Sequence, residues 1–244
     1  MKRIACAVLL TLAVCTVLPA AARAGTPAEA AAALPRLEAA VAADPENLRA
    51  ASAYRMAVIQ AGEYDRCIAF FEKLVTDHPQ AANAWLNFGF AYVDKIPAAG
   101  SITQVILAND ALTRFSKSIE IRKSWLALFT RGNSYLYWPV IFGRAPLGVA
   151  DLEEAVGIAR REEKKRRVYA RSFIALGDGY FKTEQLDKAK AVWQEGLTLF
   201  PGEPQLQARL ARSGNAEELG TYINEQLDPN KRVDTDLLPL VEGE

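Results

Sequence analysis

The chain has 244 residues, of which half are apolar, 24% charged and 9% aromatic, so it can bury a core and does not have the makeup of a disordered polymer. Its 29 lysines and arginines balance 29 aspartates and glutamates, which leaves no basic excess for holding nucleic acid. The single histidine, His78, lies at a helix end between Asp77 and Pro79, so a histidine-cluster metal site or a Ser-His-Asp triad has nothing else to draw on.

Taken in chain order, Lys2 and Arg3 precede an apolar run from Ile4 to Leu18, then Pro19 and the small residues Ala20 to Ala24. Ala22-Arg23-Ala24 has the form of a signal-peptidase site, and the run is too short for a retained span. Residues 1–24 are therefore expected to be removed, placing the mature protein, from Gly25, in the periplasm or outside the cell with no stable membrane span. Lipoprotein processing at Cys15 is the competing reading, weakened by the bulky Val14 before it. Removal would leave 26 basic against 29 acidic residues and Cys67 as the one cysteine, so no internal disulfide could form. Cys67 reads as a small core residue.

Near the C-terminus, Phe173-x2-Leu176-Gly177-x2-Tyr180 is followed by Ala189-x3-Trp193 and then Pro201. The spacing predicts a helix with one apolar stripe, a second helix approaching it at a small residue, and a proline that ends the pair. This arrangement closely resembles the tetratricopeptide repeat (TPR). A second copy covers residues 48–81, with Tyr54, Arg55 and Val58 on its first helix and Cys67-x3-Phe71 on its second. Here Arg55 replaces the packing glycine, so looser packing or an outward-turned arginine stem is expected. Residues 28–45 fit a lone second helix, and the N-terminal cap is placed at 25–47.

The two middle copies are stretched. Trp85-x2-Phe88-Gly89-x2-Tyr92 matches the first-helix pattern, but Ala111-x3-Phe115 follows Gly89 by 22 residues rather than 12, an insertion placed around residues 96–101. Gly132-x2-Tyr135 is separated from Gly148-x3-Leu152 by an extra loop at residues 138–146. Four copies, at about 48–81, 82–124, 125–166 and 170–203, make a repeat domain over 48–202, with C-terminal capping helices over 203–228 and a flexible tail over 229–244. The charged run from Arg160 to Arg167 is expected to extend a helix into solvent, with Glu162–Arg166 and Glu163–Arg167 pairing at i,i+4. The fold class is thus all-α, a right-handed α-solenoid of antiparallel helix pairs.

The resemblance implies that first helices line a concave groove. Carried onto this chain, it places Met56 in the first copy, Asn83, Leu86 and Phe90 in the second, and Leu126, Phe129, Asn133 and Tyr137 in the third. Arg171, Ile174, Asp178 and Phe181 follow in the fourth, and Trp138, Ile141 and Phe142 form a candidate lid. Ser52, Met56 and Leu86 stand where the family's carboxylate clamp would be polar, so that mode does not transfer. Phe90, Phe129 and Phe181 recur beyond the needs of the core pattern and call for a partner, either external or the chain's own tail and loops. The expected function is a scaffold for a protein or peptide segment; the alternative is a carrier or chaperone for an apolar small molecule or lipid. The alternative draws on a loose similarity to exported repeat proteins that accompany substrate-binding transporters. No catalytic, metal or cofactor-binding residues are expected.

Overall fold

The computed structural model describes residues 26–228 and 233–242; the leader with its predicted cleavage after Ala24, and Cys15, lie outside the described residues. Twelve α-helices and no strand occur among these residues. The first is α1 (Pro27–Ala43), closed by a capping box between Thr26 and Glu29. The helix pairs are α2 (Leu48–Ala61) with α3 (Tyr64–Asp77), α4 (Ala82–Lys95) with α5 (Ser101–Ile121), α6 (Trp125–Leu136) with α7 (Ala145–Arg161), and α8 (Ala170–Lys182) with α9 (Leu186–Leu199). Next come α10 (Pro204–Arg212), α11 (Ala216–Gln226) and the short α12 (Leu238–Glu242).

Packing glycines set the distance within two pairs. A Cβ on Gly89 would collide with the Phe115 ring of α5, and one on Gly177 with the Trp193 indole of α9. The small residue and the large ring opposite it form one lock, which fixes each pair in register. The core divides into an N-terminal cluster around Leu34, Tyr54, Phe71 and Phe88 and a larger one that runs from Leu86 and Phe115 to Leu219 and Ile223.

The stretched middle copies adopt different solutions. Between Gly89 and Ala111 a single 3-10 turn at Ile96–Ala98 leads directly into α5, whose 21 residues absorb the surplus as extra N-terminal turns. In the third copy the surplus forms a 3-10 turn at Val140–Phe142, which ends at Gly143 in the left-handed region (φ 61°). Pro146 then falls in the first turn of α7, where its missing N–H costs nothing.

Three expectations need correction. The charged run does not extend a helix: α7 stops at Arg161, so the expected i,i+4 pairs do not form. Arg160 instead reaches across to Glu195 (2.6 Å), and Arg166 lies over the Tyr169 ring. Arg55 does not turn to water but is fully buried, and the first repeat is loosened as expected, because α2 lies close to α1 and approaches α3 far less than the helices of the other pairs approach each other. The C-terminal segment is not a loose tail over its described part, because Thr235, Leu237 and Leu240 are buried against the repeats. The last two corrections share one cause, described below.

Candidate binding groove

The first helices α2, α4, α6 and α8 carry the predicted groove residues, and the structure divides them into three groups. Phe90, Phe129, Asn133, Tyr137 and Arg171 wall a cavity of about 580 Å³ between α4, α5, α6 and the 138–142 turn. Leu126 belongs to a separate, wider hollow with Tyr169 and Val241. The remaining residues face neither space. Leu86 is buried in the core, and Met56 and Ile174 are half-buried. Asn83 donates to the Glu46 carbonyl (2.7 Å), and Phe181 packs beneath Gly220 of α11. Asp178 is buried beneath α10, where Arg209 grips it with two hydrogen bonds of 2.6 and 2.7 Å.

The extra phenylalanines are not spare. Phe90 packs edge-on against Phe115, with ring centroids 5.2 Å apart. Phe129 stacks flat on Trp125 at 5.1 Å, and the indole N–H of Trp125 donates to the Ser172 hydroxyl (3.2 Å). Both rings are only 8% exposed, so they serve the core on one face and the cavity on the other. Counting one aromatic stripe per repeat does not reveal this double role, because the insertion in α5 supplies part of the packing.

The candidate lid also divides. Trp138 is buried beneath the guanidinium of Arg144 (4.2 Å to the ring centroid) and lines the cavity together with Phe142. Ile141, 90% exposed, points away. Lys182 holds the start of this turn by donating its ammonium to the carbonyl of Leu136, and burial pulls its pKa below the usual lysine range. Burial likewise pushes the Tyr137 phenol above its ordinary value. Arg144 ties the two surplus segments together by donating to Asn109 of α5 (2.8 Å).

The large apolar side chains left exposed are concentrated at this place. Ile102, Val105 and Ile106 lie on the added turns of α5, while Val140 to Phe142 and Leu147 lie on or just after the added turn before α7. No charged residue occurs from Ile96 to Asn109. The two insertions have therefore built a largely apolar rim around the cavity, in which Arg144 is the one charged residue and is tied to Trp138 and Asn109, a combination that monomeric proteins seldom leave without use.

The side facing α2 is closed by the chain's own C-terminal segment, one of the two occupants that the sequence had left open, though by contacts it did not specify. Val233, Asp234, Thr235, Leu237 and Leu240 form that wall. Arg55 donates to Asn87 (3.0 Å), to Asp94 (2.9 Å) and to the Thr235 carbonyl (2.6 Å). The Thr235 hydroxyl donates to Asp94. A buried guanidinium must satisfy its donors, and these acceptors do so. The available signal was an arginine in place of a packing glycine, on the same groove face as Ser52 and Asp94.

The groove acids Asp94 and Asp178 are each held by an arginine. Among the described residues no three of His, Cys, Asp and Glu gather to hold a metal, and no helix is long and apolar enough to cross a membrane. Cys67 is buried, and burial drives its thiol pKa upward.

Paired helices, small-residue locks and terminal prolines give the chain a TPR-like fold. Residues 22–93 match the family model described as "Tetratricopeptide repeat". The fold is similar to the TPR protein TTC0263 of Thermus thermophilus, at 20% identity and a TM-score of 0.52, with 76% of this chain and 91% of that one covered. It is also similar to MamA protein, at 16% identity and a TM-score of 0.52 over 83% and 91% of the two chains. A third likeness, at 16% identity and a TM-score of 0.51 over 84% and 96%, is to YrrB, whose structure is described as that of a TPR protein with an unusual peptide-binding site. At these identities the likeness concerns the fold. No curated protein matches the chain.

Proposed function

We propose that this chain is an exported interaction scaffold that takes an apolar segment of a partner protein into its concave groove. The observation that carries the reading is the cavity of about 580 Å³ set between two insertions whose large apolar side chains face solvent. A TPR-type fold supports a protein-binding role in general, and YrrB, with its peptide-binding site, is a fold-level analogy. Export to the periplasm or beyond is supported by the pattern of residues 1–24. We read the chain as a binder rather than an enzyme, since both acids on the groove face are already paired.

Photo-crosslinking in the native envelope tests the docking site. A crosslinker replacing Val105 or Phe142 should give a discrete protein adduct, and one replacing the exposed Gln194 of α9 should not. Equal adducts at all three positions, or none at the rim, would overturn the reading. Intact-mass measurement of the exported protein should find Gly25 as its first residue; a diacylglyceryl group on Cys15 would replace the soluble form by an anchored one.

One observation favours a second reading, an apolar small molecule or lipid as the cargo. The cavity has walls on the tail side as well as on the helix side, and its volume lies within the range of about 300 to 1,000 Å³ spanned by small-ligand sites. Organic extraction of the purified protein followed by mass spectrometry separates the two readings: a stoichiometric apolar compound supports the carrier, and an empty extract supports the scaffold.

A further inference from the structure

The seat of residues 233–242 has the features of a recognition site. Ser52 on α2 donates to the Asp236 carboxylate (2.8 Å) and accepts the backbone N–H of Leu237 (3.1 Å). Arg55 takes the Thr235 carbonyl, and Asp94 takes the Thr235 hydroxyl. Leu237 and Leu240 are buried beside these groups, while Arg166 holds the Val241 carbonyl at 2.6 Å. Asp236 also accepts from the N–H of Leu238 (2.9 Å), which starts the short α12.

The receiving groups are organised without the segment. Arg55 is fixed by Asn87 and Asp94 of α4 and by the Phe90 ring, 4.7 Å below its guanidinium. Only its third contact comes from the tail. If the segment departs, the helices present a donor on Arg55, an acceptor on Asp94, the Ser52 hydroxyl and a hollow sized for leucine. Such a set reads a main-chain carbonyl, a hydroxyl, an acid with its following N–H, and a leucine, at consecutive positions of an extended chain.

We propose that this seat is a binding site for a partner segment with the chemistry hydroxyl–acid–Leu-x-x-Leu, and that residues 235–240 are its resident competitor. The proposal rests on the scaffold reading and names the segment that the groove accepts. Because the resident is tethered, its effective concentration reaches about the millimolar range, and a seat of modest intrinsic affinity stays filled. A partner gains its advantage by engaging the adjoining cavity at the same time, since Leu237 and Leu240 form a wall shared by the two sites.

The test uses a fluorescein-labelled peptide of residues 233–242 and fluorescence anisotropy against the full-length exported protein. Leu237→Glu should unseat the resident, so the peptide should bind that variant about tenfold or more tightly than wild type. A peptide with lysine at position 236 and glutamate at 237 should not bind. Should Leu237→Glu lower the melting temperature too far, Asp236→Ala provides the same comparison with a smaller gain, since it removes the bond from Ser52 and the start of α12 at Leu238 but adds no charge to the hollow. Absence of peptide binding to both unseated variants, or equal binding of the altered peptide, overturns the proposal. Concentration-dependent dimerisation of wild type by light scattering, abolished by Leu237→Glu, would assign the seat to a second copy's tail and also overturn it. Rim crosslinks that persist while the peptide fails would leave the scaffold reading intact.

Discussion

Phe129→Ala probes whether the cavity is open space beside the core. A fully enclosed Phe→Ala change costs about 3 to 5 kcal/mol, part of it for the void left behind. Phe129 is 8% exposed and stacks on Trp125, but its other face already borders the cavity. The substitution loses the stacking contacts, and the new void merges with existing space instead of being sealed. The expected loss is therefore about 2 to 3 kcal/mol. With a urea slope of about 2 kcal/mol/M, the unfolding midpoint should fall by about 1 to 1.5 M. A loss below about 1 kcal/mol would mean that the ring is not part of the core, and one above about 5 kcal/mol would mean that the site is sealed; either refutes the double role.

Gly177→Ala should cost about 1 to 3 kcal/mol because Trp193 must move, whereas Gly143→Ala meets no neighbour and should cost about 1 kcal/mol from its positive φ; similar losses in chemical denaturation would contradict the helix lock. The Glu38 carboxylate is held below the usual range by Arg66 (2.7 Å) and, more weakly, by the Tyr54 hydroxyl (2.8 Å). Its contribution should be full above the ordinary glutamate pKa and vanish as pH falls through the depressed folded value, so the gap in urea midpoint between wild type and Glu38→Gln should close in that window. Cys67 should resist iodoacetamide until the chain unfolds, as followed by intact mass; rapid labelling of the native protein would contradict its burial.

The helix pairs were legible because the determinants are local. Gly177 facing Trp193, with Pro201 ending the pair, lies within one short window of sequence. The contacts of the seat were not legible, because Arg55 and Thr235 are 180 residues apart, and the tail's prolines and charges point to an extended segment in spite of its short apolar cluster at Leu237, Leu238, Leu240 and Val241. The surplus residues of the second copy could be located, but not their conformation: an uncharged run after a proline suits a loop as well as a longer helix. Phe90 and Phe129 both border the cavity, but their burial depends on how far α5 extends, which the sequence did not disclose.

Repeat arrays ordinarily obey nearest-neighbour energetics, so that their ends fray and their middles unfold piecemeal. The strap from Arg166 through Leu240 and Thr235 to Arg55 and Ser52 joins the first repeat to the segment before the fourth. It adds long sequence separations to a fold built on short ones, which slows folding as contact order rises. It also ties opening of the first repeat to loss of contacts made by the segment before the fourth, so hydrogen exchange in α2 and at Arg166 should respond together. Releasing the strap would leave the two ends of the array to open independently, so occupancy of one small seat would set how far opening at one end is felt at the other.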